Sequence, residues 1–170
     1  MRIGIGQDSH AFCKNTSSDK NADPNDIRPL MLGGIVIPDH VALDGNSDAD
    51  VVLHAITNAI SGITCVNILG SISDEMCLRQ GITDSREYLK KALSYMDGFS
   101  ISNISVSIEC KTPRISPHID AMRSSIADLL GITPDRVGIT ATTGEGLTAF
   151  GRGEGIQAFA QILAEECGDR

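Results

Sequence analysis

A chain of 170 residues with 41% hydrophobic content is one domain's worth of sequence, long enough to bury a core. Its formal net charge of −8 argues against nucleic acid or an anionic membrane as the main partner, since both would be repelled at long range. Any phosphate handled here must be held locally. No apolar run approaches the roughly 18 residues that span a bilayer, and Met1 leads into a strand pattern with no basic-then-apolar signal, so the expected location is the cytoplasm. Five cysteines without a CxxC pair suggest reduced thiols, and the absence of Trp, with two Tyr and four Phe, calls for an aliphatic core.

In chain order, Met1 to Gln7 reads as a short strand running into Asp8-Ser9-His10. Residues two apart on a strand share a face, so Asp8 and His10 can close on one small ion. Taken alone, such a pair is more often an ordinary polar strand end. Residues 14–29 are polar and carry two prolines, which predicts a solvated loop. Two apolar runs around Gly33-Gly34 predict a tight hairpin over 30–38. A helix is expected over 48–62, with Ser47 as its N-cap and Val52, Ala55, Ile56, Ala59 and Ile60 at helical spacing; Asp50, His54, Thr57 and Asn58 fall on another side. Residues 65–81 are mixed and predict a partly ordered segment of the kind that covers sites.

A second helix is expected over 83–97, stopped by Gly98. Ile101, Ile104, Val106 and Ile108 mark a strand that Pro113 ends. Ser116-Pro117 opens a third helix with Met122, Ile126, Leu129 and Leu130 as its stripe and Gly131 as its stop. A strand over 137–141 follows. Residues 156–166 favour helix by composition yet also alternate. The order points to an α+β fold in a single domain over 1–170, with one mixed sheet and helices packed on one face.

His54 would complete an Asp-His-His set with one coordination position left open, the architecture of a catalytic zinc. A lone helical histidine is more often simply packed. The surrounding blocks carry more weight: Met1 to His10, Ser47 to Ala55, Pro113 to Ile119, and Ala141 to Glu145 running on to Gly151 to Ile156. In order and spacing, these resemble the 2-C-methyl-D-erythritol 2,4-cyclodiphosphate synthase family over essentially the whole chain.

The resemblance implies Asp8, His10 and His54 as ligands of one zinc per subunit, and Glu145 as ligand of a second divalent cation, Mg²⁺ or Mn²⁺. It implies Asn46 and Thr143 near the reacting phosphates. Asp8, His10, Asn46, Ser47, Gly70, Thr112, Pro113, Arg114, Ser116, Thr142, Thr143, Glu145, Ala149 and Arg152 would contact the cytidine-diphosphate substrate. The implied reaction closes a cyclic diphosphate and expels CMP, in non-mevalonate isoprenoid precursor biosynthesis. The implied assembly is a homotrimer with its sheets around a central channel that can hold an isoprenoid phosphate, and the implied C-terminal segment is a strand. Arg152 could serve that channel ligand or pair with Glu154. His118 is expected to be structural and His40 solvated.

The sequence departs from the family's common pattern in several places. Asn46 stands where His is usual, Ile68 where an Asp grips the ribose, and Ala149 where Phe is frequent; residues 71–80 diverge and the 14–29 loop is long. Two other readings share parts of this set: a zinc-dependent phosphoesterase on a related nucleotide, and a non-catalytic isoprenoid-binding trimer that would tolerate loss of Glu145.

Overall fold

The structure is a computed structural model that describes residues 1–13 and 28–167. Apart from Arg28 and Pro29, the expected 14–29 loop lies outside the described residues. The described elements are β1 (Arg2–Ala11), β2 (Leu30–Leu32), β3 (Ile35–Ile37), α1 (Val51–Thr64), α2 (Ser71–Asp74), α3 (Ser85–Leu93), β4 (Phe99–Glu109), α4 (Ile119–Leu130), β5 (Val137–Thr142) and β6 (Gly155–Glu166). A π-helical turn, Glu75–Arg79, continues α2.

The main sheet runs β1-β6-β4-β5. β6 is antiparallel to both neighbours and β4 is parallel to β5, so the sheet is mixed as expected. The hairpin forms a separate two-stranded sheet, which corrects the expectation of a single one. Gly33 and Gly34 have φ of 62° and 79°, the paired positive values that a type I′ turn needs.

One face of the main sheet is covered by helices, and its strands alternate accordingly: Ile104, Val106, Ile108, Ala158, Ala160 and Ile162 are buried. α1 lies directly on β1, and two glycines explain how it can. A Cβ at Gly4 would overlap the carbonyl oxygen of Ala59, and one at Gly6 that of Ala55. Removing both side chains lets the helix axis approach the strand, with Ile63 beside Gly4 and His54 beside Asp8. α1 in turn buries Val52, Ile56, Ile60 and Ile63, each worth roughly 1.5–3 kcal/mol. The opposite sheet face stays open in one chain, with Ile3 59%, Ile5 69% and Phe159 44% exposed.

Several boundaries differ from expectation. Asp50, rather than Ser47, caps α1, accepting the N–H groups of Val52 and Leu53; Ser47 Oγ instead accepts from Ala49, whose φ of 54° turns the chain ahead of the cap. α1 runs past Gly62 to Thr64 and ends on Cys65 in the left-handed region. α3 is shorter than expected, capped by Asp84 and finished at Leu93. Residues 71–79 are helical. β6 is a strand over Gly155–Glu166, because it must bridge β1 and β4 on both edges, and this overrides its helix-favouring composition. Among the described residues no helix is long and apolar enough to cross a membrane.

Candidate metal centre

Asp8 and His10 project from the same face of β1, and His54 comes down from α1 to meet them. One ligand atom from each lies within 4.8 Å of the others. His54 Nδ1 stands 2.9 Å from Asp8 Oδ2, and His10 Nε2 stands 3.2 Å from the same oxygen. Ligand atoms at about 2.0–2.1 Å around a tetrahedral zinc stand roughly 3.3 Å apart, so the donor set fits that ion in type and spacing. The outer nitrogen of His10 supports this. His10 Nδ1 lies 2.6 Å from the Asp44 carbonyl, which can only accept, so Nδ1 carries the proton and Nε2 offers its lone pair inward.

Burial works to raise the Asp8 carboxyl, but hydrogen bonds to His10 and His54 and their charge outweigh it and hold the group at about 2. The bond to Asp8 raises the His10 imidazole above its ordinary value, and burial opposes it. The centre is therefore built to hold positive charge.

The three groups open into a pocket of about 260 Å³ that is also lined by Asn46, Ser47, Leu69, Gly70, Ser73, Asp74, Cys77 and Tyr88. The loop carrying Asn46 is held through its backbone: Arg28 donates to the carbonyls of Gly45 and Ser47, and the Cys77 thiol to that of Asn46 at 3.3 Å. The 65–81 segment thus does cover the site, as an ordered helical turn. Ile68 is fully buried in the core and takes no part in the pocket. A larger hollow of about 780 Å³ between the α3–β4 turn and the end of α4 holds none of the candidate metal- or substrate-binding residues.

The remaining sequence-derived residues gather elsewhere, at the C-terminal end of the parallel β4–β5 pair. Thr112, Pro113, Arg114 and Ser116 form the turn after β4, where the Thr112–Pro113 peptide is cis and Arg114 Nε donates to Ser116 Oγ at 3.2 Å. Thr142, Thr143, Glu145, Ala149 and Arg152 lie on the β5–β6 connection. The two loops adjoin, since Cys110 donates to the Thr142 carbonyl and Lys111 to that of Phe150. Thr143 Oγ1 reaches Glu145 Oε1 at 3.5 Å. None of this second group lines the Asp8–His10–His54 pocket.

Two expectations about side chains change. His40 is not merely solvated: its Nε2 bonds Thr112 Oγ1 at 3.1 Å and its ring packs at a tilt against Phe12 with centroids 4.9 Å apart, bracing the turn after β4. Arg152 Nε pairs with Glu154 at 2.8 Å, one of the two roles left open for it. The contact of Ser85 with His54 is not legible in the sequence, because a hydrogen bond across 31 residues leaves no local pattern.

The model of the YgbB family matches residues 1–165. The chain belongs to that family. A family member from Chlamydia muridarum, named 2-C-methyl-D-erythritol 2,4-cyclodiphosphate synthase, is 43% identical over 97% of this chain and 88% of its own length. A solved structure of a synthase of that name in a CDP-bound form superposes with a TM-score of 0.81 at 29% identity, covering 96% of this chain and all (100%) of that one. The bifunctional IspDF of Campylobacter jejuni matches at a TM-score of 0.82 and 29% identity over 97% of this chain, which spans 42% of that longer protein. Membership in the YgbB family accounts for the spacing of all four sequence blocks, and the fold that carries them is that of the superposed synthases.

Proposed function

We propose that this protein is a 2-C-methyl-D-erythritol 2,4-cyclodiphosphate synthase, converting 4-diphosphocytidyl-2-C-methyl-D-erythritol 2-phosphate to the 2,4-cyclodiphosphate and CMP. The observation that carries the reading is the convergence of Asp8, His10 and His54 on one point in the lining of a pocket, in a chain 43% identical to a relative of that name.

Zinc bound by these three groups would supply Lewis acidity toward a diphosphate oxygen. In the reaction, an oxygen of the 2-phosphate attacks the β-phosphorus, and the bond from that phosphorus to the bridging oxygen breaks, with CMP leaving on the electron pair. Because nucleophile and electrophile belong to one molecule, the chain's task is to fold the substrate on itself and offset its charge, and no protein nucleophile is required. Asn46 and Ser47 line the pocket and offer neutral hydrogen bonds to phosphate oxygens, with Asn46 donating where a His could also bring charge. Thr143 would donate to phosphate, and Glu145 has the hard oxygen donors that suit Mg²⁺ or Mn²⁺. The Thr112 to Ser116 turn would read the cytosine, chiefly through backbone groups.

The two groups of residues lie in different parts of a single chain, and the open sheet face carries Ile3, Ile5 and Phe159. Both facts support a homotrimer in which sheets enclose a channel and the cytidine half-site of one subunit faces the metal half-site of another. Arg152, once released from Glu154, would be the cation available to an isoprenoid phosphate in that channel. The expected location is the cytoplasm.

The deciding experiment is ³¹P NMR of the purified protein with its substrate, with Zn²⁺ and Mg²⁺ present and then chelated. Metal-dependent appearance of a cyclic diphosphate with CMP is expected. CMP with an acyclic product would instead indicate a phosphoesterase, and no reaction by a zinc-loaded trimer would reduce the protein to a binding role.

A further inference from the structure

We propose that Asp48 and Ser85 are a positioning pair that fixes which nitrogen of His54 faces the metal. The proposal rests on the zinc-site reading above and adds to it two residues that the ligand set does not include. Ser85 is the first residue of α3 and Asp48 precedes α1, so the pair also ties the two helices together at the site.

The argument turns on a single proton. Ser85 is fully buried and makes two bonds to the Asp48 carboxylate: its hydroxyl to Oδ1 and its backbone N–H to Oδ2 at 3.2 Å. Asp48 Oδ1 also accepts the N–H of Asp50 at 3.2 Å, and the Asp48 N–H donates to the Thr83 carbonyl at 2.8 Å. An ionised carboxylate only accepts, so the one hydroxyl proton of Ser85 points at Asp48. Ser85 Oγ then has only lone pairs to offer His54 Nε2, which stands 2.8 Å away. That nitrogen must carry the ring proton.

The consequence lies at the other end of the ring. With a proton held at Nε2, Nδ1 is the nitrogen left to face Asp8 Oδ2, 2.9 Å away, and a metal ion shared by the two would take the place of the proton that otherwise joins them. The His10 ring is set the other way round, with Nδ1 on the Asp44 carbonyl and Nε2 inward. Each imidazole thus has its metal-facing nitrogen chosen by its outer acceptor. For His54 that acceptor is a hydroxyl, which by itself could donate or accept, and Asp48 removes the ambiguity. The side chain of Tyr88, with its ring 6.0 Å from that of His54, encloses the same ring but has no say in its protonation.

The test measures zinc affinity by competition with a chromophoric chelator, together with long-range ¹H–¹⁵N NMR of the His54 ring in the zinc-loaded protein. It compares wild type, Ser85→Ala, Asp48→Asn and Asp8→Ala, with circular dichroism to establish folding. Ser85→Ala is expected to weaken zinc by about 10- to 100-fold and to lose the slowly exchanging Nε2–H signal. Asp48→Asn keeps the side-chain volume and lets Ser85 reorient, and it should weaken zinc in the same direction. If both variants bind zinc within twofold of wild type with the Nε2–H signal intact, the positioning pair is refuted while the metal site stands. If Asp8→Ala also binds zinc as wild type does, the metal-site reading itself falls.

Discussion

Replacing Asp50 by Ala should be among the most destabilising single changes outside the apolar core. The carboxylate is completely buried and accepts four backbone N–H groups: Gly33 at 2.9 Å, Val52 at 3.1 Å and Leu53 at 3.0 Å on Oδ1, and Gly34 at 2.7 Å on Oδ2. It is therefore both the cap of α1 and, among the described residues, the only side-chain acceptor for the N–H groups at the tip of the β2–β3 hairpin. Loss of a cap costs about 1 kcal/mol, and each donor left unpaired in the interior costs about 1–3 kcal/mol. The Ala variant should lose about 4 kcal/mol in all, a fall of about 10–15 °C in Tm for a chain of this size. Asp50→Asn supplies the control: its one amide oxygen can keep the three bonds now made to Oδ1, while its NH₂ opposes the Gly34 N–H, for a loss of about 1–2 kcal/mol. Urea unfolding followed by circular dichroism, at one fixed protein concentration so that self-association is held constant, would read both. An Ala variant within 1 kcal/mol of wild type, or an Asn variant as unstable as Ala, would refute the reasoning.

Gly6→Ala should cost more than about 3 kcal/mol and lose zinc, since its Cβ would push α1, and His54 with it, away from β1; a stable variant with full zinc content, read by elemental analysis, would contradict that geometry. Asp8→Ala or His54→Ala should abolish stoichiometric zinc, whereas Glu145→Gln should keep zinc and lose turnover; a fully active Gln variant would remove Glu145 from the mechanism. In the metal-free protein, Asp8 is held at about 2 against an ordinary 3.8, so the stability it contributes is present above the ordinary value and lost as pH falls through that interval. Acid titration of stability should therefore be steeper for wild type than for Asp8→Asn. His10, with its imidazole raised, should bind zinc more weakly as pH falls through its titration, and a zinc affinity independent of pH below neutrality would exclude that proton competition. Nucleotide binding by calorimetry with CDP should be lost on chelation.

Where one face of an element is buried and the other wet, the sequence carries the structure openly. The alternation of Ile104, Val106 and Ile108 is clean for that reason, and the three-residue step from Ile101 to Ile104 is the trace of a register shift between Ile101 and Asn103 in the β4–β6 pairing. β6 is ambiguous because its inward positions, Ala158, Ala160 and Ala164, must be small beneath the helical layer, and alanine at those positions reads as helix. Ser47, Asp48 and Asp50 all have side chains competent to cap α1, and only the left-handed turn at Ala49 decides among them. Strand spacing alone puts Asp8 and His10 on one face, but only the family resemblance of the surrounding blocks singles them out, with His54, as a ligand set. Asp48 and Ser85 are not legible in this way, since their pairing depends on α3 docking against the start of α1. The separation of the Asp8–His10–His54 cluster from the loops after β4 and β5 is equally invisible in a linear sequence.

The charge of the chain explains why the centre takes the form it does. With a formal net charge of −8, the protein as a whole repels a nucleotide diphosphate. Only one of the three ligands is anionic, and the two imidazoles bind a metal as neutral groups. A divalent ion held there would leave the three-ligand centre with a net positive charge, in a pocket that the carboxylates of Asp8 and Asp74 would otherwise make negative. At physiological ionic strength the field of the remaining carboxylates is screened beyond about 8 Å, so the local charge governs the last approach of a phosphate. A ligand set with two carboxylates would cancel the ion and leave nothing to attract the substrate. In the proposed zinc site the Asp-His-His combination would keep that attraction, so that an acidic chain with a neutral Asn46 would still draw a polyphosphate to this point.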